Sequence, residues 1–414
     1  MNNNIKICKE CLYPSTHPFG ITFDESGLCS GCQIHKEKNQ LDWNFRLQKL
    51  KKIIKNYRSK NGNYDCVIPV TGAGDSHFIV HVAKNLLKLN PLLVCHNKYF
   101  NTEIGIKNLA NLRIKFDCDT IIQNINLDVI KKITRYSLME YGNIYWPVIA
   151  GSTSFPVQIA SKYKIPLILW GAHQGLEQVG MFSHLNEVEM TRRYREDHDL
   201  FGKDEFSFLN VDNDIKEEDI LQFIYPDRKI INSIGIRGLY LGNFIRWDSV
   251  AQHKLMINKF GYLATKLNRT FDTYNYTDCF NYTNLHDFLK LCKHGYSKVL
   301  DDVCREIRYK RITREQGLYL VKLYENKKIQ NLNQFCEWIS ISKKSLNFVI
   351  DRFKNRNFWK QVDVDKWTFN GVSKHLNKKK IINNNFKIKN FKTNFLIKKS
   401  DNKKYIYFGK GVES

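Results

Sequence analysis

The sequence predicts an α/β protein: a parallel sheet with helices on both faces, preceded by a small cysteine-rich domain and followed by a helical domain. Short apolar runs alternate with amphipathic segments over residues 64–170, a pattern typical of such a sheet. Two CxxC motifs lie before this region. After residue 211 the pattern becomes almost entirely helical.

These changes predict four parts in the 414-residue chain, enough for two or three domains. We expect a ribbon over residues 1–42, a sheet domain over 43–211, a helical substrate-binding region over 212–372 and a basic tail over 373–414. The tail holds twelve lysines and two acidic residues, so it supplies +10 of the net charge of +24. Because the charge is concentrated there, it is weak evidence for a nucleic-acid partner, and we expect none.

Composition also bears on location. Hydrophobic residues make up 43% of the chain and aromatic residues 13%, which suits a globular core. No apolar run approaches the roughly 18 residues of a membrane span, and the opening MNNNIKICKE lacks the apolar core of a signal peptide. We therefore expect a cytoplasmic protein without a membrane span.

The two CxxC motifs predict a metal site. Cys8 and Cys11 are separated from Cys29 and Cys32 by seventeen residues, the spacing of a tetrahedral zinc ribbon. Disulfides are disfavoured without a signal peptide, and a redox dithiol needs one pair rather than two. An iron–sulfur cluster is the alternative, but the symmetric spacing favours Zn²⁺. Four protein ligands close the coordination sphere, so the metal should be structural.

The predicted elements follow in order. Strands are expected at 66–70, 91–96, 120–125 and 165–170, and helices at 43–60, 76–89, 103–116, 127–141 and 154–164. Further helices are expected at 216–225, 250–260, 285–294, 298–308, 313–325 and 332–338. Ligands bind beyond the carboxyl ends of parallel strands. The segments that begin at His96, at Gly151 (at a helix start) and at Trp170 should therefore face one crevice.

The turn after the first strand is the strongest functional signal. In YDCVIPVTGAGDSHF, residues 64–78, a buried strand turns through Thr71–Gly74 into a helix that begins near Ser76. Exposed amides and the positive end of the helix dipole make such a turn an anion site. No GxxxxGK[ST] is present, so it is not a Walker loop. An ordinary tight turn is the alternative, and Ala73 would be strained if its φ were positive.

TGAGDS resembles the SGGxDS signature of PP-loop ATPases, which cleave ATP between the α- and β-phosphates. Thr71 replaces Ser, and Ala73 replaces Gly. Further segments extend the resemblance to the N-acetyl sugar amidotransferases of bacterial surface-glycan biosynthesis, which include the lipopolysaccharide and pseudaminic or legionaminic acid amidotransferases. Between the ribbon and Gly317 these segments are DCVIPVTGAGDSHF, HNKYFNTEIGIKNL, TSFPVQIASKYKIPLILWGAH, RGLYLGNFIRWD, NRTFDTY, LHDFLKLCKHGYSK and CREIRYKRITREQG.

The resemblance implies a PP-loop fold of the adenine nucleotide alpha hydrolase type. It also implies an ATP-dependent, AMP- and pyrophosphate-forming ligase that converts a sugar acetamido group into an acetamidino group for lipopolysaccharide or flagellin glycan. ATP and Mg²⁺ would be required beside the structural Zn²⁺. The acetamido sugar would be nucleotide-activated or a nonulosonic acid.

The resemblance also implies site residues. The ATP site would comprise Thr71, Gly72, Ala73, Gly74, Asp75, Ser76, His96, Asn97, Gly151, Ser152 and Gly171. Substrate would be bound by Arg237, Asn243, Trp247, His286, Asp287, Arg305 and Arg308, since arginines bind carboxylate or phosphate bidentately. Asp75, Ser76, His173 and His286 are the catalytic candidates. Structural ion pairs are the alternative role of Arg305 and Arg308.

The ammonia source is predicted to be separate. An amino-terminal-nucleophile glutaminase needs cysteine after Met1, where Asn2 stands, and none of the eleven cysteines lies on a glycine-flanked elbow. Ammonia must be free or come from another subunit. The resemblance implies a separate glutaminase, with or without a cyclase-like partner.

Two other functions fit parts of the sequence. A tRNA-thiolating PP-loop enzyme would use the same adenylation, but none of Cys66, Cys95 and Cys118 is clearly placed for it. A non-catalytic zinc-ribbon adaptor would explain Ala73, while Asp75 and Ser76 argue against it.

Overall fold

The computed structural model describes residues 5–209, 214–375, 406–407 and 410–411. Within these residues the chain forms a four-cysteine ribbon, a five-stranded parallel sheet flanked by helices, and a helical region, which confirms the predicted fold class. Most of the predicted basic tail lies outside the described residues.

The central sheet has the order β3-β2-β1-β4-β5, and all its strands are parallel. The strands are β1 (Cys66–Pro69), β2 (Pro91–His96), β3 (Thr120–Gln123), β4 (Leu167–Trp170) and β5 (Arg237–Tyr240). The chain leaves β1 toward β3 on one side and continues from β4 to β5 on the other. The loops after β1 and β4 therefore diverge and open a crevice at the carboxyl edge.

β5 extends the sheet beyond the expected domain boundary at residue 211. It pairs with β4 from Leu167 and Arg237 to Trp170 and Tyr240, so the sheet continues beyond residue 211. The region that was expected to be helical from residue 212 thus contains the last strand. This strand has only four residues and is flanked by short helices, so its alternating pattern of side chains is difficult to recognise in the sequence.

The helices before β5 are α1 (Ser30–Lys38), α2 (Trp43–Lys55), α3 (Gly74–His81), α4 (Glu103–Phe116), α5 (Leu127–Tyr141), α6 (Trp146–Tyr163), α7 (Arg192–Tyr194), α8 (Glu217–Ile220) and α9 (Arg228–Ile234). α3 continues as a π-helical turn over Val82–Leu86. α6 begins earlier than expected because Pro147 is accepted in its first turn. Gly151 therefore lies inside a helix and not at a helix start.

The helices after β5 are α10 (Ser249–Phe260), α11 (Asp287–His294), α12 (Lys298–Arg308), α13 (Arg314–Tyr324), α14 (Leu332–Ile339), α15 (Lys343–Arg352) and α16 (Val372–His375). Two hairpins follow or interrupt them: β6 (Trp359–Asp363) with β7 (Lys366–Phe369), and β8 (Ile406–Tyr407) with β9 (Lys410–Gly411). Thr313 and Gln316 form a capping box at the start of α13.

The ribbon is packed against the helical region. Its Leu12 and Ile21 share one buried cluster with Val299, Val303 and Leu318 of α12 and α13. This buried apolar contact joins the chain's first described residues to its C-terminal half. Among the described residues, no helix combines the length and apolarity that crossing a bilayer requires.

Candidate active site

The turn after β1 is closed by its own side chains. The backbone amide of Thr71 donates to the Ser76 hydroxyl over 2.8 Å, and the amide of Ala73 donates to the Thr71 hydroxyl over 3.0 Å. Ala73 has φ −88° and ψ 161°, an extended conformation open to any residue. Its replacement of the glycine in the SGGxDS signature therefore introduces no backbone strain.

Two glycines of the turn allow close packing. A Cβ on Gly72 would lie 2.1 Å from the carbonyl oxygen of Gly105 in α4. A Cβ on Gly74 would lie 2.5 Å from Nε2 of His253 in α10. The turn is thus held between two helices at places where a larger residue would collide.

A small cavity lies at the carboxyl edge beside this turn. It is lined by Thr71, Gly72, Cys95, His96, Asn97, Lys98, Asn101, Gly105, Ile106, Leu109, Ala110, Arg113, Ile122 and Asp278. Nδ1 of His96 lies 2.8 Å from Oε1 of Gln123. Burial lowers the pKa of His96 to about 4, so its imidazole is neutral at pH 7. Four of the residues predicted to form the ATP site thus share one wall.

A large cavity of about 700 Å³ opens on the other side of Thr71, between the sheet and the helical region. Its lining from the sheet half includes Thr71, Lys98, Tyr145, Ser152, Thr153, Gln174 and Asp199. Its lining from the helical region includes Tyr276, Tyr282, His286, Lys290, Lys293, His294, Tyr296 and Asp301, and the ribbon adds His17, Pro18 and Phe19. Thr71 and Lys98 line both cavities, so the two spaces meet at the turn.

The remaining predicted nucleotide residues are divided. Ser152 lines the large cavity, whereas Gly151, Gly171 and the four residues 73–76 of the turn line neither of the two cavities. Gly151 instead packs against the ring of His96, where a Cβ would lie 2.2 Å from Cε1. Its part in the site is to let α6 approach His96.

Among the residues predicted to bind substrate, His286 alone lines the large cavity. The other six are Arg237, Asn243, Trp247, Asp287, Arg305 and Arg308, and the structure holds each of them elsewhere. Arg237 pairs with Glu189 at 2.5 Å, and Asp287 pairs with Arg269 at 2.7 Å.

Arg305 shows the alternative role that the sequence left open. It pairs with Asp272 at 2.8 Å, with Asp302 at 3.3 Å and with Glu306 at 2.7 Å. Trp247 is buried against Phe78 with ring centroids 5.4 Å apart, and the Asn243 side chain donates to a backbone carbonyl at 2.9 Å. These positions favour structural roles.

Arg308 lies at the cysteine cluster. Its Nη1 donates to the carbonyls of Glu177 at 3.0 Å and Gln178 at 2.8 Å, and its Nη2 lies 3.5 Å from Sγ of Cys29. The guanidinium is buried among these groups. It links α12, the ribbon and the loop after β4, and it does not line the large cavity.

The two predicted catalytic histidines are both uncharged at neutral pH. Burial lowers the pKa of His173 to about 4 and that of His286 to about 3. His173 packs against Tyr194 and Tyr240 with ring centroids 4.5 and 4.6 Å away, and it does not line the large cavity. His286 is therefore better placed to contact a molecule in that space.

The sequence interpretation missed most of the aromatic and basic wall. Tyr276 and Tyr282 stack with ring centroids 4.0 Å apart, and His286 lies 5.2 Å from the second ring. Lys290 and Lys293 follow along α11. The recurrence of tyrosine, histidine and lysine over residues 276–296 was the available signal.

Asp75 also has an unpredicted neighbour. Its Oδ1 lies 3.2 Å from Nε2 of His253, a fully buried residue of α10. The Asp75 side chain stays 42% exposed. Because its carboxylate is accessible at the start of α3, it can take a divalent cation.

The four cysteines form a compact cluster that can hold a metal ion. All four are buried, and their Sγ atoms lie within 4.8 Å of one another. Zn–S bonds of about 2.3 Å place tetrahedral sulfurs about 3.8 Å apart. The Cys8–Cys32 and Cys11–Cys29 separations of 3.9 and 3.6 Å fit this geometry.

A comparison with known proteins finds a match for the part of the helical region that lines the large cavity. Residues 268–373 match the family model of the WbpG-like LPS biosynthesis protein, C-terminal domain. Of the residues that line the large cavity, this WbpG-like region, residues 268–373, supplies Tyr276, Tyr282, Tyr296, His286, Lys290 and Lys293. The match supports the resemblance to surface-glycan amidotransferases that the sequence motifs carry.

Two further likenesses are partial. An uncharacterized protein of Methanocaldococcus jannaschii is 29% identical over 122 residues, which cover 28% of this chain and 42% of the archaeal protein. The chain thus spans less than half of that relative. The NH3-dependent NAD synthetase of Campylobacter jejuni subsp. jejuni aligns over 47% of this chain and 92% of its own, with 13% identity and a TM-score of 0.28.

Proposed function

We propose that the protein is an ATP-dependent amidotransferase that converts the N-acetyl group of a sugar into an acetamidino group during surface-glycan biosynthesis. The observation that carries the proposal is the position of Thr71 and Lys98, which line both cavities. A nucleotide in the small cavity and a sugar in the large cavity would meet at the TGAGDS turn. The likeness of one wall to LPS biosynthesis proteins supports a sugar as the second substrate.

The chemistry explains why two adjoining spaces are needed. An amide carbonyl is a weak electrophile, and its oxygen cannot leave unaided. Attack of the amide oxygen on the α-phosphorus would release pyrophosphate and give an O-adenylated imidate. Ammonia would then add to the imidate carbon and lose a proton, and AMP would leave with the original amide oxygen.

The residues of the turn would serve the first step. Thr71 and Ser76 hydroxyls and the loop amides would bind pyrophosphate oxygens in place of their present partners. Mg²⁺ would neutralise phosphate charge, and the exposed carboxylate of Asp75 would hold it. The cysteine cluster would hold a structural Zn²⁺.

The large cavity would hold the sugar. The stacked rings of Tyr276 and Tyr282 offer an apolar face, and the neutral imidazole of His286 can donate or accept a hydrogen bond. Lys293 would attract a carboxylate or phosphate on the sugar, whereas Lys290 is already paired with Asp301 at 2.5 Å.

The thiolation alternative needs a reactive thiolate near ATP. Burial raises the pKa of Cys95 to about 12 and that of Cys118 to about 11. Cys66 is raised well above its usual value by the same cause. These thiols are protonated at neutral pH, which favours the amidotransferase over tRNA thiolation.

The test uses the purified chain with ATP, ammonium and a panel of acetamido sugars that carry oxygen-18 in the amide. We expect mass spectrometry to show NH in place of the amide oxygen and the label in AMP. Glutamine should replace ammonium poorly, because the donor would be a separate glutaminase. Unlabelled AMP formed with an amidine product would contradict adenylation of the amide. Thiolated tRNA would support the first alternative, and inertness toward ATP would support the adaptor.

A further inference from the structure

His253 lies directly behind the first turn of α3. Its Nε2 is 3.2 Å from Oδ1 of Asp75, and its side chain is fully buried. Gly74 packs against the same ring, since a Cβ there would lie 2.5 Å from Nε2. The first turn of α3 therefore packs against this imidazole.

Two tyrosine rings lie beside the imidazole. The ring of Tyr274 lies 4.9 Å from it, and the ring of Tyr262 lies 6.1 Å away and nearly parallel. Nδ1 is buried and has no hydrogen-bond partner within the described residues. Since Nε2 faces a carboxylate oxygen, we assign the proton to Nε2.

The two tyrosines are themselves fixed by the helical region. The Tyr262 hydroxyl donates to the carbonyl of Tyr274 at 2.6 Å. The Tyr274 amide donates to Asp272 at 2.8 Å, and Asp272 pairs with Arg305 at 2.8 Å. The ion pair between Arg305 and Asp272 thus supports Tyr274, which packs against the ring of His253. Arg305 therefore has a role outside the cavity.

We propose that His253 is a positioning residue that holds the Asp75 carboxylate in the orientation needed to take the divalent cation of a bound nucleotide. One hydrogen bond from Nε2 can orient the carboxylate. The carboxylate keeps 42% of its surface exposed and so stays open to a cation. This inference rests on the proposed nucleotide role of the turn.

The test measures cation-dependent binding in the full chain, independently of turnover. A non-hydrolysable ATP analogue is titrated by calorimetry at a series of Mg²⁺ concentrations, and Mn²⁺ binding to the same complex is followed by electron paramagnetic resonance. His253→Leu should need roughly ten-fold more cation for half-maximal binding, the loss of about one hydrogen bond. Its affinity for the analogue without cation should be unchanged.

Matched variants separate orientation from packing. A glutamine amide reaches the position of Nε2, so His253→Gln should restore most of the cation affinity. An asparagine amide reaches only the position of Nδ1, so His253→Asn should behave as His253→Leu and replaces it if the leucine variant does not fold. His81→Gln is the control, because His81 lies on α3 and contacts Asn85 rather than the turn.

The outcomes are distinct for the two proposals. Wild-type cation dependence in folded His253→Leu and His253→Asn would overturn the positioning role while leaving the nucleotide site intact. Equal weakening with and without cation would show a merely structural role and overturn it too. Wild-type protein that binds no ATP analogue would overturn the proposed function itself, and with it the inference. In Asp75→Asn, a further His253→Leu change should add little, because the oriented charge is already lost.

Discussion

Asp199 lines the large cavity, and burial raises the pKa of its carboxyl group to about 7, while the nearby Arg195 opposes that shift. The folded state therefore holds this proton more tightly than the unfolded state, where the pKa is near 4. The resulting stabilisation is complete below about pH 4 and is lost as the pH rises to about 7.

Asp199→Asn should remove that loss. We expect the free energy of unfolding of the wild type, relative to this variant, to fall by about 1–3 kcal/mol between pH 4.5 and 7.5. Urea unfolding across this range measures it. Asp128→Asn, at a site 82% exposed, is the control and should keep the wild-type slope. An unchanged slope in Asp199→Asn would contradict the raised pKa.

The backbone angle φ of Ala73 decides whether alanine strains the turn at a position where the signature has glycine. As a substitution in a glycine signature it could have indicated a strained or altered loop. With φ at −88°, alanine is accommodated without strain, and it offers no support for an adaptor with a decayed site.

At the scale of elements, the turn and α4 depend on the contact between Gly72 and Gly105. Gly72→Ala places a Cβ 2.1 Å from the Gly105 carbonyl oxygen, so one of the two backbones must move. We expect a loss of about 1–3 kcal/mol in stability and roughly ten-fold weaker binding of an ATP analogue. Thermal unfolding and calorimetry measure the two effects.

The control for this change is Ala73→Gly, one residue along the same turn. Its extended φ needs no glycine, so we expect near wild-type nucleotide binding. If both variants bound the analogue as the wild type does, the close contact would have no bearing on the site.

At the scale of the whole molecule, Arg308 joins three parts of the fold. It reaches from α12 to Cys29 of the ribbon and to two carbonyls of the loop after β4, where Gln178 lines the large cavity. Its positive charge also favours thiolates in the cluster. Replacement of Arg308 should therefore lower the stability of the cysteine cluster, the helical region and the cavity wall together.

Arg308→Met tests this connection. We expect a loss of about 2–4 kcal/mol, because buried carbonyls and thiolates lose their donor, and faster release of metal to a chelator. Thermal unfolding and metal release measured with a chromogenic chelator check both. Lys36→Met is the control, because Lys36 pairs with Glu10 at the surface. Metal retention equal to the wild type would contradict the role assigned to Arg308.

The cysteine cluster, the parallel sheet and the position of the TGAGDS turn could all be predicted from the amino-acid sequence. Each depends on residues close together in the chain: two CxxC knuckles, alternating strands and helices, and a strand that turns into a helix through small residues. Only the tertiary structure shows that Arg305 pairs with Asp272, that Arg308 contacts Cys29, that β5 completes the sheet and that His253 lies beside Asp75. The large cavity likewise brings Thr71, Tyr145 and Tyr282 together. These relations join residues far apart in sequence, and packing between distant segments leaves no periodic pattern from which they could be predicted.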